Sequence, residues 1–244
     1  MDSGFYAAFT GLQARIEALD VVANNIANVN TTGFKAQHEF YRGVLASRNG
    51  FLLSSLNRAI NDYGVLGGTA VDLGSGSLER TGNSLDAAIQ GPGFFVVQTG
   101  SGSVLTRDGA FQLNAKRQIT TATGDLVLGQ RGPIVVPPGE ISIGQDGTVS
   151  AAGAVAGKLK IVELANGTRP EPVGNTYFSV PQPAMNPPAN SQVRQGMLES
   201  ANVDAVSGSV ALIDLQRHAE LLQKALAIID ADFNKTAIEQ LPQV

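Results

Sequence analysis

The sequence predicts a mainly β protein with terminal α-helices: an antiparallel β-domain flanked by N- and C-terminal coiled-coil helices. Apolar residues recur at alternating three- and four-residue spacings at both chain ends, the periodicity of a helix packed along one seam. Between about residues 78 and 180 this gives way to short apolar runs parted by Asp108-Gly109, Gly124-Asp125, Asp146-Gly147 and Asn166-Gly167, pairs suited to tight turns. Charged residues are 16% of the chain, below the roughly 25% usual in globular domains, while 28 Gly and 11 Pro make turns frequent.

The N-terminal helix follows from Phe5, Phe9, Leu12, Ile16, Leu19, Ala23 and Ile26, with Asp2 or Ser3 placed to cap it. About 24 residues at ~1.5 Å rise give a rod of roughly 36 Å, and its narrow apolar stripe makes it marginal without a partner. The stretch Ala23 to Lys35 reads as the end of this helix and its exit. Asn24, Asn25, Asn28 and Asn30 compete for backbone hydrogen bonds, and Thr31, Thr32 and Gly33, ahead of Phe34, are turn and stop residues. These polar side chains are expected to satisfy backbone groups at a crowded junction.

Residues 36–81 show no clean period and read as a linker, with Gly-Ser pieces near its end. The strand candidates are 94–98, 104–107, 110–113, 126–128, 134–136, 141–143, 158–164 and 177–180, and connections this short favour antiparallel neighbours. Pro181, Pro183, Pro187 and Pro188 then predict an extended link. The last segment carries a second seam, Leu212, Leu215, Ala219, Leu222, Leu226, Ile229 and Phe233, suited to pairing with the first helix. It also carries Val206, Val210, Ile213, Leu221 and Ile228, a wider apolar surface than one partner needs. The expected domains are therefore 1–35 (helix and exit motif), 36–81 (linker), 82–190 (β-rich domain with its Pro-rich link) and 191–244 (C-terminal helix).

Composition narrows the function. Without Cys there are no disulfides, thiol nucleophiles or Cys-ligated metals. A net charge of -4 with scattered basic residues is not the footprint of a nucleic-acid binder. The first residues lack the basic and apolar regions of a secretory signal, and no run approaches a membrane span, so neither a cleaved signal nor membrane insertion is expected. His38 and His218 have no neighbouring nucleophile and read as solvated side chains. The Gly-Ser pieces match neither a nucleophile elbow nor a phosphate-binding loop. Asp230, Asp232 and Asn234 imitate the start of a calcium loop, but Lys235 and Leu241 stand where Gly and Glu are needed. No catalytic residue, metal or cofactor is expected.

The wording ALDVVANNIANVNTTGFKAQ, from Ala18 to Gln37, closely resembles the N-terminal signature of the flagellar basal-body rod and hook proteins. GNSLDAAIQGPGFFVV (residues 82–97) resembles that family's GNxLDxAIxGxGFF pattern, and TRDGAFQL (residues 106–113) its TRxGxFxL. IGQDGTV (residues 143–149) and VRQGMLESANV (residues 193–203) follow in the family's order. The chain's start, length and ending look most like the proximal-rod branch, with the distal-rod branch second. The resemblance implies a self-assembling axial subunit of the rod that carries torque from motor to hook. Its partners would be copies of itself and other rod and hook proteins, and it would leave the cell unfolded through the flagellar type III export apparatus. Phe5, Phe9, Leu12, Ile16, Leu19, Ile26, Leu212, Leu215, Leu222, Leu226, Ile229 and Phe233 would then form the assembly interface. A glycan-binding or adhesive β protein with a helical stalk, and an export chaperone or cap protein borrowing the helices, are the other readings of this plan.

Overall fold

The computed structural model describes residues 2–42, 65–174, 176–181 and 184–240; within them, side chains of 2–8, 40–42, 65–67, 229–230 and 232–240 are left aside. Of these residues, 2–26, 37–42, 65–70 and 204–240 form one unit, and Ala27–Ala36 with Val71–Val203 form the second. The expected mainly antiparallel β architecture with one helix at each end is what the chain adopts.

In the first unit α1 (Asp2–Ala27) and α2 (Ala205–Gln240) run antiparallel. A methyl group built on Gly11 would lie 3.9 Å from Leu222 Cδ1, and one built on Gly208 would lie 3.1 Å from Ile26 Cγ1. Asp204 starts α2 as a capping residue, its Oδ1 accepting from Val206 N–H at 3.1 Å and its carbonyl from Gly208 N–H at 2.9 Å. β1 (Gln37–Arg42) pairs with β2 (Val65–Val71), within what the sequence reads as a linker. Asn25 fixes the start of β1: its Nδ2 donates to Gln37 O at 2.8 Å and its Oδ1 accepts from Gln37 N–H at 2.9 Å.

The second unit is the β body. β3 (Leu78–Arg80) and β4 (Ala87–Gln90) lead into β5 (Gly93–Thr99), the strand around which the body is built. β5 alternates between two cores: Phe95 and Val97 lie in one with Phe111, Ile119, Val127 and Leu159, while Phe94 and Val96 lie in the other with Leu105 and Phe178. A strand buried on both faces reads as a continuous apolar run, which is why FFVV is so legible. β5 pairs with β6 (Gly102–Thr106) through a short hairpin. β7 (Gln112–Leu113), β8 (Ile119–Thr120), β9 (Leu126–Gly129) and β10 (Gly132–Pro133) extend the same sheet. β11 (Ile141–Ile143), β12 (Thr148–Ala151) and β13 (Ala154–Lys158) make a separate meander. β14 (Ile161–Leu164), β15 (Glu171–Pro172), β16 (Tyr177–Ser179) and β17 (Met185–Asn186) return to the large sheet. β18 (Gln192–Gln195) pairs with β4, and β19 (Met197–Glu199) with β3.

Several expected elements take a different form. Residues 158–164 are not one strand, because Leu159 and Lys160 donate their N–H groups to Gly147 O and Leu128 O between β13 and β14. Residues 134–136 hold a single bridge, Gln118 to Val135. The Pro-rich link contains β17, whose Met185 and Asn186 pair with Leu164 and Glu163. Residues 191–203, grouped in the sequence with the C-terminal helix, supply β18 and β19. Asp108-Gly109 is not a hairpin turn: Gly109 lies against strand β4, where a Cβ would fall 1.6 Å from Ala87 O, so Gly is required by proximity. Gly124, Gly147 and Gly167 do sit in turns with positive φ.

Candidate interaction faces and the buried junction

On α2 the expected seam is the covered side: Leu212, Leu215, Leu222 and Leu226 are half-buried and Ala219 is buried. Ile229 and Phe233 lie outside the described side chains. The opposite side presents Val206, Val210, Ile213, Leu221 and Ile228, between 48% and 74% exposed, with exposed Arg217 and Lys224 set among them. Scattered exposed apolar residues are ordinary, whereas these five share one helix face.

On α1 the structure turns the seam. Leu12, Leu19 and Ile26 are half-buried, but Phe9 is 52% exposed, Ile16 46%, and Ala23 is exposed, while Phe5 falls outside the described side chains. The best-covered line instead runs through Ala18 and Asn25, in register with Gly11. The tight approach of the two helices is at Gly208 of α2, where a Cβ would fall 3.1 Å from Ile26 Cγ1, and the bulky Phe9 and Ile16 are left facing out. Asn24 and Asn30 are exposed; Asn25 and Asn28 are buried.

The exit motif is built into the β body. Thr31 N–H donates to Asn28 O at 2.9 Å, closing the turn after α1, and Thr32 Oγ1 donates to Asp108 Oδ1 at 2.8 Å. Gly33 adopts φ 68°, and a Cβ there would fall 2.2 Å from Asp108 N, so both conformation and space demand glycine. Its N–H donates to Glu199 O at 2.7 Å. Phe34 is fully buried, and Ala36 N–H donates to Asn202 Oδ1 at 2.7 Å.

Lys35 is buried as well, and it ends in an ion triad. Its Nζ donates to Glu199 Oε1 and to Gly74 O, both at 2.7 Å. Glu199 Oε1 also accepts from Gly76 N–H at 2.9 Å, and Oε2 accepts from Arg107 Nη1 at 3.2 Å. Arg107 donates further to Ile89 O and Gly91 O, and its guanidinium lies 4.8 Å from the Phe94 ring centroid. All three side chains are at most 1% exposed. Burial pushes the Lys35 ammonium and the Arg107 guanidinium below their ordinary values, and the bonds and charge of Glu199 oppose this. Two cations share one acid. Sequence reasoning named Gly33 and Phe34 but not Lys35, Arg107, Glu199 or Asn202. Their signal is charge placed inside otherwise apolar or small-residue motifs, GFK, TRDG and LES.

Among the described residues no group of His, Cys, Asp and Glu could hold a metal ion, and no described helix is long and apolar enough to cross a membrane. His38 and His218 are both exposed.

Comparison with known proteins bears on both features. A family model described as flagella basal body rod protein matches residues 5–35, covering α1 and the exit motif. A second, described as flagellar hook protein FlgE/F/G D1 domain, matches residues 88–151 of the body. The chain is 34% identical to the flagellar basal-body rod protein FlgF of Caulobacter vibrioides, with the whole of each chain covered. It is 34% identical to the rod protein FlgG of Agrobacterium fabrum over 91% of this chain and 94% of that one. With FlgF of Escherichia coli the identity is 32% over 94% and 95%.

Proposed function

The chain belongs to the family of flagellar basal-body rod proteins, FlgF favoured over FlgG, and we propose that it enters the rod through apolar columns on both terminal helices. It is a structural subunit of the basal-body rod, the axial shaft that joins motor to hook, and it assembles with other rod and hook axial proteins. The column on α2, Val206, Val210, Ile213, Leu221 and Ile228, is the observation that carries the proposal. Phe9 and Ile16 supply the corresponding column on α1. Leu12, Leu19, Ile26, Leu212, Leu215, Leu222 and Leu226 serve the pairing of the two helices.

In this reading the domains divide the labour. The helices make the contacts that repeat along the shaft, a heterologous interface that propagates helically. Torque passes through packing alone, so the protein carries out no catalysis, takes no cofactor and binds no nucleic acid. Its position is in the proximal rod rather than the distal. Export proceeds through the flagellar type III apparatus.

The test is to place an acid in the exposed column, Ile213→Asp or Leu221→Asp, in the full-length chain. A charge on water costs the free protein little, whereas burial in an interface costs several kcal/mol. The expected result is a folded protein missing from washed basal bodies, with motility lost. Normal assembly and motility would refute the proposal.

A further inference from the structure

We propose that Glu199 is a clasp that closes the β body, locking the strap 31–36 and the segment 72–76 only once residues 197–202 are in place. Every tie to the strap from the end of the body comes from this one short stretch. Glu199 receives Gly33 N–H on its carbonyl and Lys35 Nζ on its carboxylate, and Asn202 Oδ1 receives Ala36 N–H. The same two residues hold the middle segment: Gly76 N–H donates to Glu199 Oε1, and Asn202 Nδ2 donates to Asp72 O and Gly74 O, each at 3.1 Å. Asp72 N–H in turn donates to Ala36 O at 2.8 Å, so the strap and the middle segment are also tied to each other. The partners are far apart in sequence, 164 residues for Lys35 with Glu199 and 123 for Gly76 with Glu199.

The charge arrangement makes the clasp conditional. Without Glu199, Lys35 and Arg107 would share a buried site with no acid between them, leaving Asp72 as the other anion named among the described residues whose charge acts on Lys35. The strap therefore lacks its charge-balancing partner before residue 199 arrives. A chain delivered from its N-terminus cannot lock its body until residues 197–202 have followed, and the folded body is thereby tied to the arrival of both ends. This holds for the isolated chain and does not depend on how it assembles.

The experiment compares full-length wild type, Glu199→Gln, Lys35→Met and the double variant by hydrogen exchange and thermal melting. The triad carries a net charge of one in the wild type, two in Glu199→Gln, and one again in the double variant. The expected result is that Glu199→Gln speeds exchange at residues 33–36 and 72–76 at least tenfold, while residues 94–97 in β5 keep their protection. Adding Lys35→Met should then recover part of that loss and of the melting temperature. If Glu199→Gln fails to fold, folding of the double variant supports the clasp and its failure overturns it. Unchanged exchange at the strap in Glu199→Gln, or a double variant whose loss equals the sum of the two single losses, would also overturn it.

Discussion

The two helices and the β body use apolar residues in opposite ways. The body closes two cores around β5, burying Phe94, Phe95, Val96 and Val97 to 2% exposure or less. On the described parts of α1 and α2, by contrast, the only fully buried apolar side chains are Ala18 and Ala219, and the larger ones are half-buried or out on the surface. Burial of this extent makes the body stable by itself, while helices that cover so little lean on what they meet later. On the proposed reading, the subunit carries a finished part and a part that its neighbours finish.

The largest expected effect lies in the finished part. Phe95→Ala removes a side chain with no exposure, packed edge-to-face on Phe111 at 5.0 Å, and should cost about 3–5 kcal/mol in chemical denaturation of the body. A cost below ~1 kcal/mol would break the contrast from the body's side.

A smaller effect is expected at Glu163, whose Oε1 accepts from Ala189 N–H, Asn190 N–H and Ser191 Oγ at 3.0, 2.9 and 2.7 Å. Burial pushes this carboxyl up, but the bonds from Ser191, Asn190 and Ala189 outweigh it and hold the group below its ordinary value. A depressed carboxyl stabilises the fold fully above its unfolded value of about 4.3 and loses that contribution as pH falls through the lower folded value. Glu163→Gln should therefore cost about 1–2 kcal/mol at pH 7, with the gap to wild type closing as the pH is lowered past 4. A gap that stayed constant down to pH 2 would remove the ionised carboxylate from the account.

The smallest effect should be at Phe9, which is as large as Phe95 but 52% exposed. Phe9→Ala is expected to change the stability of the free chain by no more than ~0.5 kcal/mol. The loss should appear instead as fewer subunits retained in basal bodies. Equal destabilisation of the free chain by Phe9→Ala and Phe95→Ala would erase the distinction between the two parts.

The legibility of these parts in the sequence follows the same divide. Both helices were visible because their periods are local, and FFVV because both of its faces are buried. The direction of the α1 seam was not. Ranking positions by hydrophobicity selects Phe9 and Ile16, whereas the covered line runs through Ala18 and Asn25. β18 and β19 were hidden because their partners, β4 and β3, lie about a hundred residues earlier, and strand pairing at that distance leaves no periodic trace. The triad was invisible for the same reason: Lys35, Arg107 and Glu199 read singly as surface charges. Asp108-Gly109 misled in the other direction, since its turn-like wording serves the tight approach of Gly109 to Ala87. The motif wording itself carried the family, because TTGFK and GPGFF name residues that only a particular backbone path requires.

The most direct measurement of the central claim is hydrogen exchange of α2 in the free full-length protein and in purified basal bodies. Amides from Val206 to Ile228 should exchange far faster than those of β5 in the free protein, and gain at least tenfold protection in the rod. Equal protection of these α2 amides in both states would contradict it.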